Sequence, residues 1–578
     1  MNIGDSFQSA AARTLYLPPK LIKKLHNRGI DAPAREPSFF KARTTMATVE
    51  NVKSLESWIW DAACSIRGAQ DAPKYKDFIL PLVFTKRLCD VFDDEIDRLA
   101  KNYGSRDVAF AFVEKDPKLV RFYLPLRPQD LGKPVWSVIR ELSSKIGEQL
   151  TSYLADIARF NPLLDGILNR IDFNATTHGQ RDIDDDRLSN LIEAISRKRL
   201  GLADVEPDII GRSYEYLIRK FAEGSGQSAG EFYTPAEVGL VMARILTPAP
   251  GMEVYDPTCG SGGLLVKCEI ELDRRMKSEG LAEYAPLKLH GQEFTPATWA
   301  MANMNMIIHD MQGRIEIGDT MKSPKFLIDG QLKPFDRIIA NPMWNQDSNS
   351  LPYLGENFFA NDPYERFSDT GHMDERGNPR ILIAPQSSAD WAWMLHILHS
   401  LNNSGRAAVV LDTGAVSRGS GNANRNKEKE LRKWFVDHDL IEGVLYLPEN
   451  LFYNTTAPGV VIFLNKNKPV AQQNKLFLLN ASRCFKKGDP KNYIPDDEIV
   501  RIGDTFADWR EEERFSLIVD RAEIVRNDYN ISPSRYIHVA DDMDYRPLSE
   551  IVEDLREIEK EAKLNEKALL AVLAGLGL

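Results

Sequence analysis

The chain has 578 residues, 43% hydrophobic and 27% charged, with a formal net charge of -11. Those proportions fit a globular protein of about three domains, and the acidic balance argues against a chain that coats nucleic acid by itself. It leaves room for an enzyme that meets DNA at one local groove while another subunit supplies much of the grip.

No apolar run approaches the ~18–20 residues that span a bilayer, so no membrane partner is expected. The N-terminus lacks the charged start, apolar block and small-residue cleavage site of a secretory signal. Cys64, Cys89, Cys259, Cys268 and Cys484 form no C-x-x-C pair. Their odd number and spacing point away from a disulfide framework and a zinc site, and toward a reducing compartment.

Residues 1–46 read as a basic, flexible extension. Residues 1–45 hold eight Lys/Arg against three acids, and Pro18, Pro19, Pro33 and Pro37 break any long helix. A DNA-phosphate arm, a plain tail, and a true start at Met46 all fit.

Residues 47–225 predict a helical domain. Leu55, Trp58, Ile59, Ala62 and Ile66 recur at helical spacing. So do Tyr75, Phe78, Ile79, Leu82 and Val83, and later Ile210, Tyr214, Leu217, Ile218 and Phe221. The small residues of 223–230 mark a hinge or loop.

Over 226–470 short apolar runs alternate with helical stretches, the pattern of a mainly parallel sheet covered on both faces. Residues 471–578 read as a C-terminal region. Within it Leu548, Ile551, Leu555, Ile558 and Ala562, then Leu569 and Val572, form a seam for a terminal helix. That helix suits a coiled-coil partner and the protein's own core equally well.

Asp256-Pro-Thr-Cys-Gly-Ser-Gly-Gly263 follows one strand and opens a helix. Its glycines, Gly260, Gly262 and Gly263, let the backbone turn sharply and approach a ligand, and the helix start can hold an anionic group. There is no Gly-Lys-Ser/Thr ending and no G-x-G-x-x-G spacing, which argues against a P-loop and a dinucleotide fingerprint. The next strand ends at Glu293, placed to accept hydrogen bonds from both hydroxyls of a ribose. The third ends at Asp319, placed to receive an adenine amino group. Cys259 has no His or Lys close in sequence and reads as a space-filler.

The fourth strand runs into Asn341-Pro-Met-Trp344. Methyl transfer to an exocyclic amine needs a nitrogen lone pair that the ring otherwise delocalises. The side-chain oxygen of Asn341 and the carbonyl of Pro342 supply two acceptors for the amino hydrogens. Pro342 stiffens the backbone, and Trp344 offers a face for an extruded base. With a sulfonium as donor no metal is needed. A bare strand-ending Asn-Pro turn is the plain alternative, and its position after the glycine loop, Glu293 and Asp319 outweighs it.

The strings Asp256–Leu265, Gly291–Glu293 and Asn341-Pro342 resemble the modification subunits of type I restriction–modification systems. Gly230-Glu-Phe-Tyr-Thr-Pro-Ala-Glu-Val238, Leu55–Ala63 and Tyr529–Tyr536 are similar to further segments of that family. The resemblance covers roughly 47–578. It implies an α/β fold: a Rossmann-like S-adenosylmethionine-dependent methyltransferase domain with an N-terminal all-helical domain and a C-terminal helical tail. It implies that Glu231, Phe232, Tyr233, Thr234, Pro235 and Ala236 help bind S-adenosylmethionine, with Ser261, Gly262, Gly263 and Glu293. The reaction implied is N6-adenine methylation of double-stranded DNA in a prokaryotic cytoplasm. The partners implied are a specificity subunit, a second copy of the chain and a restriction subunit. The family usually carries Asn-Pro-Pro-Phe or Tyr. Met343 and Trp344 depart from it, keep both acceptors, and leave the seat of the base altered. A stand-alone DNA methyltransferase, a methyltransferase acting on protein glutamine or RNA, and an inactive scaffold subunit are the other readings.

Overall fold

A computed structural model describes residues 49–66, 75–202, 204–205, 207–224, 234–281, 283–373, 377, 379–422, 426–453, 455–539, 556 and 560. The extension 1–46, the linker 225–233 and the seam residues Leu548 to Val572 lie outside the described residues.

The first region is built as its apolar spacing requires. Helices α1 (Val49–Cys64), α2 (Lys76–Tyr103), α3 (Ile146–Phe160), α4 (Asp185–Ser196) and α5 (Pro207–Gly224) surround one core. Leu55, Ile59 and Ala62 of α1 and Ile79, Leu82, Val83 and Phe92 of α2 are buried in it. Asp184 caps α4, its carboxylate accepting the Arg187 N–H at 2.9 Å. The domain is not wholly helical. Thr176–Thr177 pairs with Gln180–Arg181 in a two-stranded hairpin, turning at His178 and Gly179 with positive φ. So short a pair carries no period-2 signal.

The second region is a nine-stranded sheet. Its strands are β1 (Glu253–Asp256), β2 (Lys288–Glu293), β3 (Gly313–Ile317), β4 (Phe335–Ala340), β5 (Leu401–Asp412), β6 (Ile441–Tyr446), β7 (Gly459–Asn465), β8 (Lys475–Asn480) and β9 (Ser516–Asp520). Their order is β9-β8-β6-β7-β5-β4-β1-β2-β3. The pairs β3–β2, β2–β1, β1–β4, β4–β5 and β6–β8 are parallel; β7 and β9 run against their neighbours. β7 is buried along its whole length, as a strand covered on both faces must be.

Helices α6 (Ala236–Leu246), α7 (Gly263–Ser278) and α11 (Asp496–Ala507) cover one face; α9 (Asp390–His399) and α10 (Lys427–Asp437) cover the other. Between β2 and β3, α8 (Pro296–Ile308) sends Ala300, Met301, Met304 and Ile308 into the core of the helical domain. The direction of winding reverses between β1 and β4. A crevice outside the carboxyl ends of these two strands is where an open sheet of this kind binds its ligand.

The boundary expected at residue 470 is corrected by the sheet. β8 and β9 extend it, and Tyr529–Tyr536 packs back onto it: Ile531 N–H donates to Val416 O at 3.0 Å, and Arg432 Nε donates to Tyr529 O at 2.6 Å. The apolar run Leu476–Leu479 is fully buried, so these residues cannot stand apart as a separate region. No helix among the described residues is long and apolar enough to cross a membrane.

Candidate active site

The carboxyl ends of β1 and β4 open on one cavity, lined by Thr234, Asp256, Thr258, Cys259, Gly260, Ser261, Gly263, Leu264 and Asn341. The structure thus brings the glycine loop and the fourth-strand asparagine together, along with one residue of the segment before the catalytic domain. Glu231, Phe232 and Tyr233 lie outside the described residues. Pro235 caps the start of α6 and Ala236 is its first residue.

The loop depends on its glycines. Gly260 and Gly262 hold φ of 52° and 76°, where an L side chain is strained. A Cβ on Gly262 would also lie 2.9 Å from Met306 Cε. Gly262 N–H donates to Cys259 O at 2.7 Å, and Asn305 of α8 donates from Nδ2 to Ser261 O at 3.0 Å. Cys259 fills space, as expected. A Cβ on Gly291 would meet its sulfur at 2.9 Å, and burial pushes its thiol well above the usual range, with Asp256 and Glu293 adding to the effect.

Asp256 is 1% exposed; its Oδ1 accepts Thr258 N–H at 3.0 Å, while among the described residues Oδ2 has no hydrogen-bond partner. Burial pushes its carboxyl up to about 8; the Thr258 N–H opposes this and the charge of Glu293 adds to it. An orphaned buried carboxylate beside a glycine cradle suits a ligand that brings positive charge.

Glu293 Oε2 accepts Gly260 N–H at 3.1 Å and Oε1 accepts Thr295 N–H at 2.9 Å, so the acid of β2 also braces the β1 loop. Asp319 is differently engaged. Tyr353 Oη donates to its Oδ2 at 2.6 Å and Lys322 N–H to its Oδ1 at 3.0 Å. Like Gly262 and Glu293, it is not among the residues lining the cavity, but unlike them it makes, among the described residues, no hydrogen bond to the Asp256–Gly263 loop. The neighbouring Thr320 carries the contact instead, its hydroxyl donating to Pro257 O at 2.6 Å.

Asn341 is held at both ends of its amide. Nδ2 donates to Thr234 Oγ1 at 3.0 Å, and Oδ1 accepts the indole N–H of Trp344 at 3.1 Å. An indole is only a donor, so the atom facing it is the amide oxygen. That oxygen keeps a second lone pair for an amine. Among the described residues nothing donates to the Pro342 carbonyl. Trp344 itself is not poised as a free platform. Its ring stands edge-on to Phe452, centroids 4.9 Å apart and planes at 71°.

Several positioning residues escaped the sequence reading. Asn345, at φ 53°, donates its backbone N–H to Asp390 Oδ1 at 2.9 Å and its side chain to Asp412. Arg418 gathers Asp390, Asp412 and Glu428 into one cluster. The exit of the tetrapeptide is thereby anchored; only the position of Asp412 at the end of β5 hinted at this. Phe294, 71% exposed directly after Glu293, is a second omission, signalled by an aromatic following the strand-end acid.

Residues 205–544 match the family model described as N-6 DNA Methylase, and residues 55–195 match the HsdM N-terminal domain. The strand order, glycine loop and Asn-Pro turn therefore define an adenine-specific DNA methyltransferase on a Rossmann-like fold.

The MjaVII methylase subunit of a type I restriction enzyme from Methanocaldococcus jannaschii is 32% identical over 494 residues, covering 84% of this chain and 78% of its own. The MjaIX methylase subunit of the same organism is 28% identical, covering 91% and 92%. The crystal structure of the type I restriction-modification system methyltransferase subunit from Streptococcus thermophilus superposes with a TM-score of 0.67 at 26% identity, over 84% of this chain and all of that one. The chain belongs to the methylase, or modification, subunits of type I restriction–modification systems.

Proposed function

We propose that Asn341 and the Pro342 carbonyl form the acceptor pair that takes the amino group of an extruded adenine. On this reading the cofactor is S-adenosylmethionine, and Thr234, Asp256, Gly260, Ser261, Gly262, Gly263 and Glu293 hold it. Pro235 and Ala236 shape its rim, and Glu231, Phe232 and Tyr233 are assigned to it by family likeness. Asp319 acts behind the site through Tyr353. The observation that carries the reading is the shared cavity of Asn341 and the Asp256–Gly263 loop.

The bound cofactor supplies an electrophilic methyl group on a sulfonium centre. The chain's own residues do the rest. Glu293 presents a carboxylate fixed by two backbone N–H groups. Asp256 places negative charge beside the loop. Asn341 and Pro342 accept hydrogen bonds that favour a pyramidal amine, and fixed dipoles that need no reorganisation supply much of the rate. Trp344 contributes its ring after turning from its contact with Phe452.

The working complex on this proposal contains double-stranded DNA, a separate specificity subunit, a second copy of this chain and, for cleavage, a restriction subunit, in a prokaryotic cytoplasm. Tritiated methyl transfer to unmodified plasmid, with and without the specificity subunit, tests it. N6-methyladenine formed only with that subunit is the expected result. Transfer without any partner supports a stand-alone enzyme, and cofactor binding with no transfer under any condition supports an inactive scaffold.

Cofactor affinity is expected to depend on pH through Asp256. Its proton is held up to about pH 8, and the carboxyl must ionise to meet a cation. Below that value binding expels a proton, so affinity falls as pH falls by up to tenfold per unit. Calorimetry in buffers of different ionisation enthalpy reads the proton release. An Asp256→Asn variant whose affinity keeps the wild-type pH slope would remove this assignment.

A further inference from the structure

The acidic balance of the chain is broken at one place on the catalytic edge of the sheet. Residues 481–495, which follow β8, hold Arg483, Lys486, Lys487 and Lys491 against the single acid Asp489, and the acids Asp496, Asp497 and Glu498 come only with the first turn of α11. β4 is parallel to β5, β7 runs against both β5 and β6, and β6 is parallel to β8. The chain therefore leaves β8 at the same edge where Asn341 leaves β4.

This basic loop is tied to the catalytic tetrapeptide through one intermediate loop. Lys491 Nζ donates to Asn450 Oδ1 and to Thr455 O, both at 3.0 Å. Asn492 donates from its backbone to Asn450 O at 2.9 Å and from Nδ2 to Glu449 O at 3.0 Å. Phe452, in that intermediate loop, is the ring that Trp344 packs against. Lys491 is thus consumed in joining the two loops.

Lys486 and Lys487 are not. Both are exposed, and among the described residues neither has a side-chain partner. Tyr493, 44% exposed, pairs antiparallel with Lys486 and places an aromatic residue in the same loop. Two exposed ammonium groups without an acidic partner in one short loop favour an anionic ligand. Nucleotides flanking an extruded adenine stay covalently joined to it, so on this reading their phosphates run past the end of the sheet at which β4 and β8 both terminate.

We infer that Lys486 and Lys487 grip the phosphate backbone of double-stranded DNA next to the extruded base. The inference rests on the acceptor pair proposed above.

The test is the salt dependence of DNA methylation by the full chain in complex with its specificity subunit. Lys486→Gln with Lys487→Gln should shallow the slope of log affinity against log salt by about 1.8, since each phosphate contact contributes about 0.9. Between 50 and 200 mM salt the wild type then loses about tenfold more DNA affinity than the variant. KM for DNA rises, while kcat at saturating DNA and cofactor affinity stay at wild-type values. Charge reversal to Glu at both positions should enlarge the KM effect. Lys115→Gln with Lys118→Gln, an equal charge change on the helical domain, should leave the slope alone.

An unchanged slope in the Lys486/Lys487 variant overturns the inference. So does loss of the specificity subunit from the complex with DNA binding otherwise normal, which would make the loop a protein contact. A wild-type complex that transfers no methyl group would instead remove the catalytic reading, a separable outcome.

Discussion

Asn341→Ala is expected to reduce methyl transfer by at least about 10²–10³-fold, the loss that follows when one preorganised polar group is removed from a reacting centre. The change deletes the oxygen proposed to meet the target amine. It also strands the Trp344 indole N–H and frees the Thr234 hydroxyl, the two groups that now fix the amide. Cofactor binding should change by less than about threefold, because the hydrogen bonds that shape the glycine loop, from Gly260 N–H to Glu293 and from Asn305 to Ser261 O, do not involve Asn341. The measurement is single-turnover transfer on saturating DNA, alongside calorimetric cofactor binding. Near-normal transfer by the variant would show that the acceptor is elsewhere.

Glu293→Ala should give the opposite pattern. Its carboxylate is the acceptor for Gly260 and Thr295 N–H, and hydrogen bonds to charged groups contribute about 1.5–3 kcal/mol each. Removing it loosens the glycine loop and takes away the proposed ribose contact together. Cofactor Kd should rise by about 10- to 100-fold, with a smaller loss in transfer at saturating cofactor. Glu293→Gln should fall between the two, since it keeps one acceptor oxygen. A wild-type Kd in Glu293→Ala would sink the ribose assignment.

What could be read from the chain was chemistry confined to short spans. The Asp256–Gly263 loop, Glu293 after β2 and Asn341 after β4 each combine an apolar run with a turn whose residues have definite conformational demands. The helical stripes Leu55–Ile66 and Tyr75–Val83 were legible for the same reason. What stayed hidden depends on separation in sequence or on turn geometry. Thr234 meets Asn341 across 107 positions. The indole of Trp344 reaches Asn341 only because Pro342 and Met343 curl back before Asn345 enters positive φ. The engagement of Asp319 by Tyr353 is a contact between distant loops. The strand Lys475–Asn480 was legible in principle, since Leu476–Leu479 is an unbroken apolar run. It went unread because it lies beyond the part of the pattern that alternates cleanly.

Lys267 of α7 and Glu215 of α5 form a buried ion pair, and Glu215 Oε1 would lie 3.7 Å from a Cβ on Gly263. A truncation starting at residue 226 would remove the carboxylate with which that ammonium is paired. It would also strip the cover from Met301 and Met304. Engineers seeking a minimal writer of DNA marks from this scaffold should therefore keep the amino-terminal helices, whose side chains back the turn at Gly263.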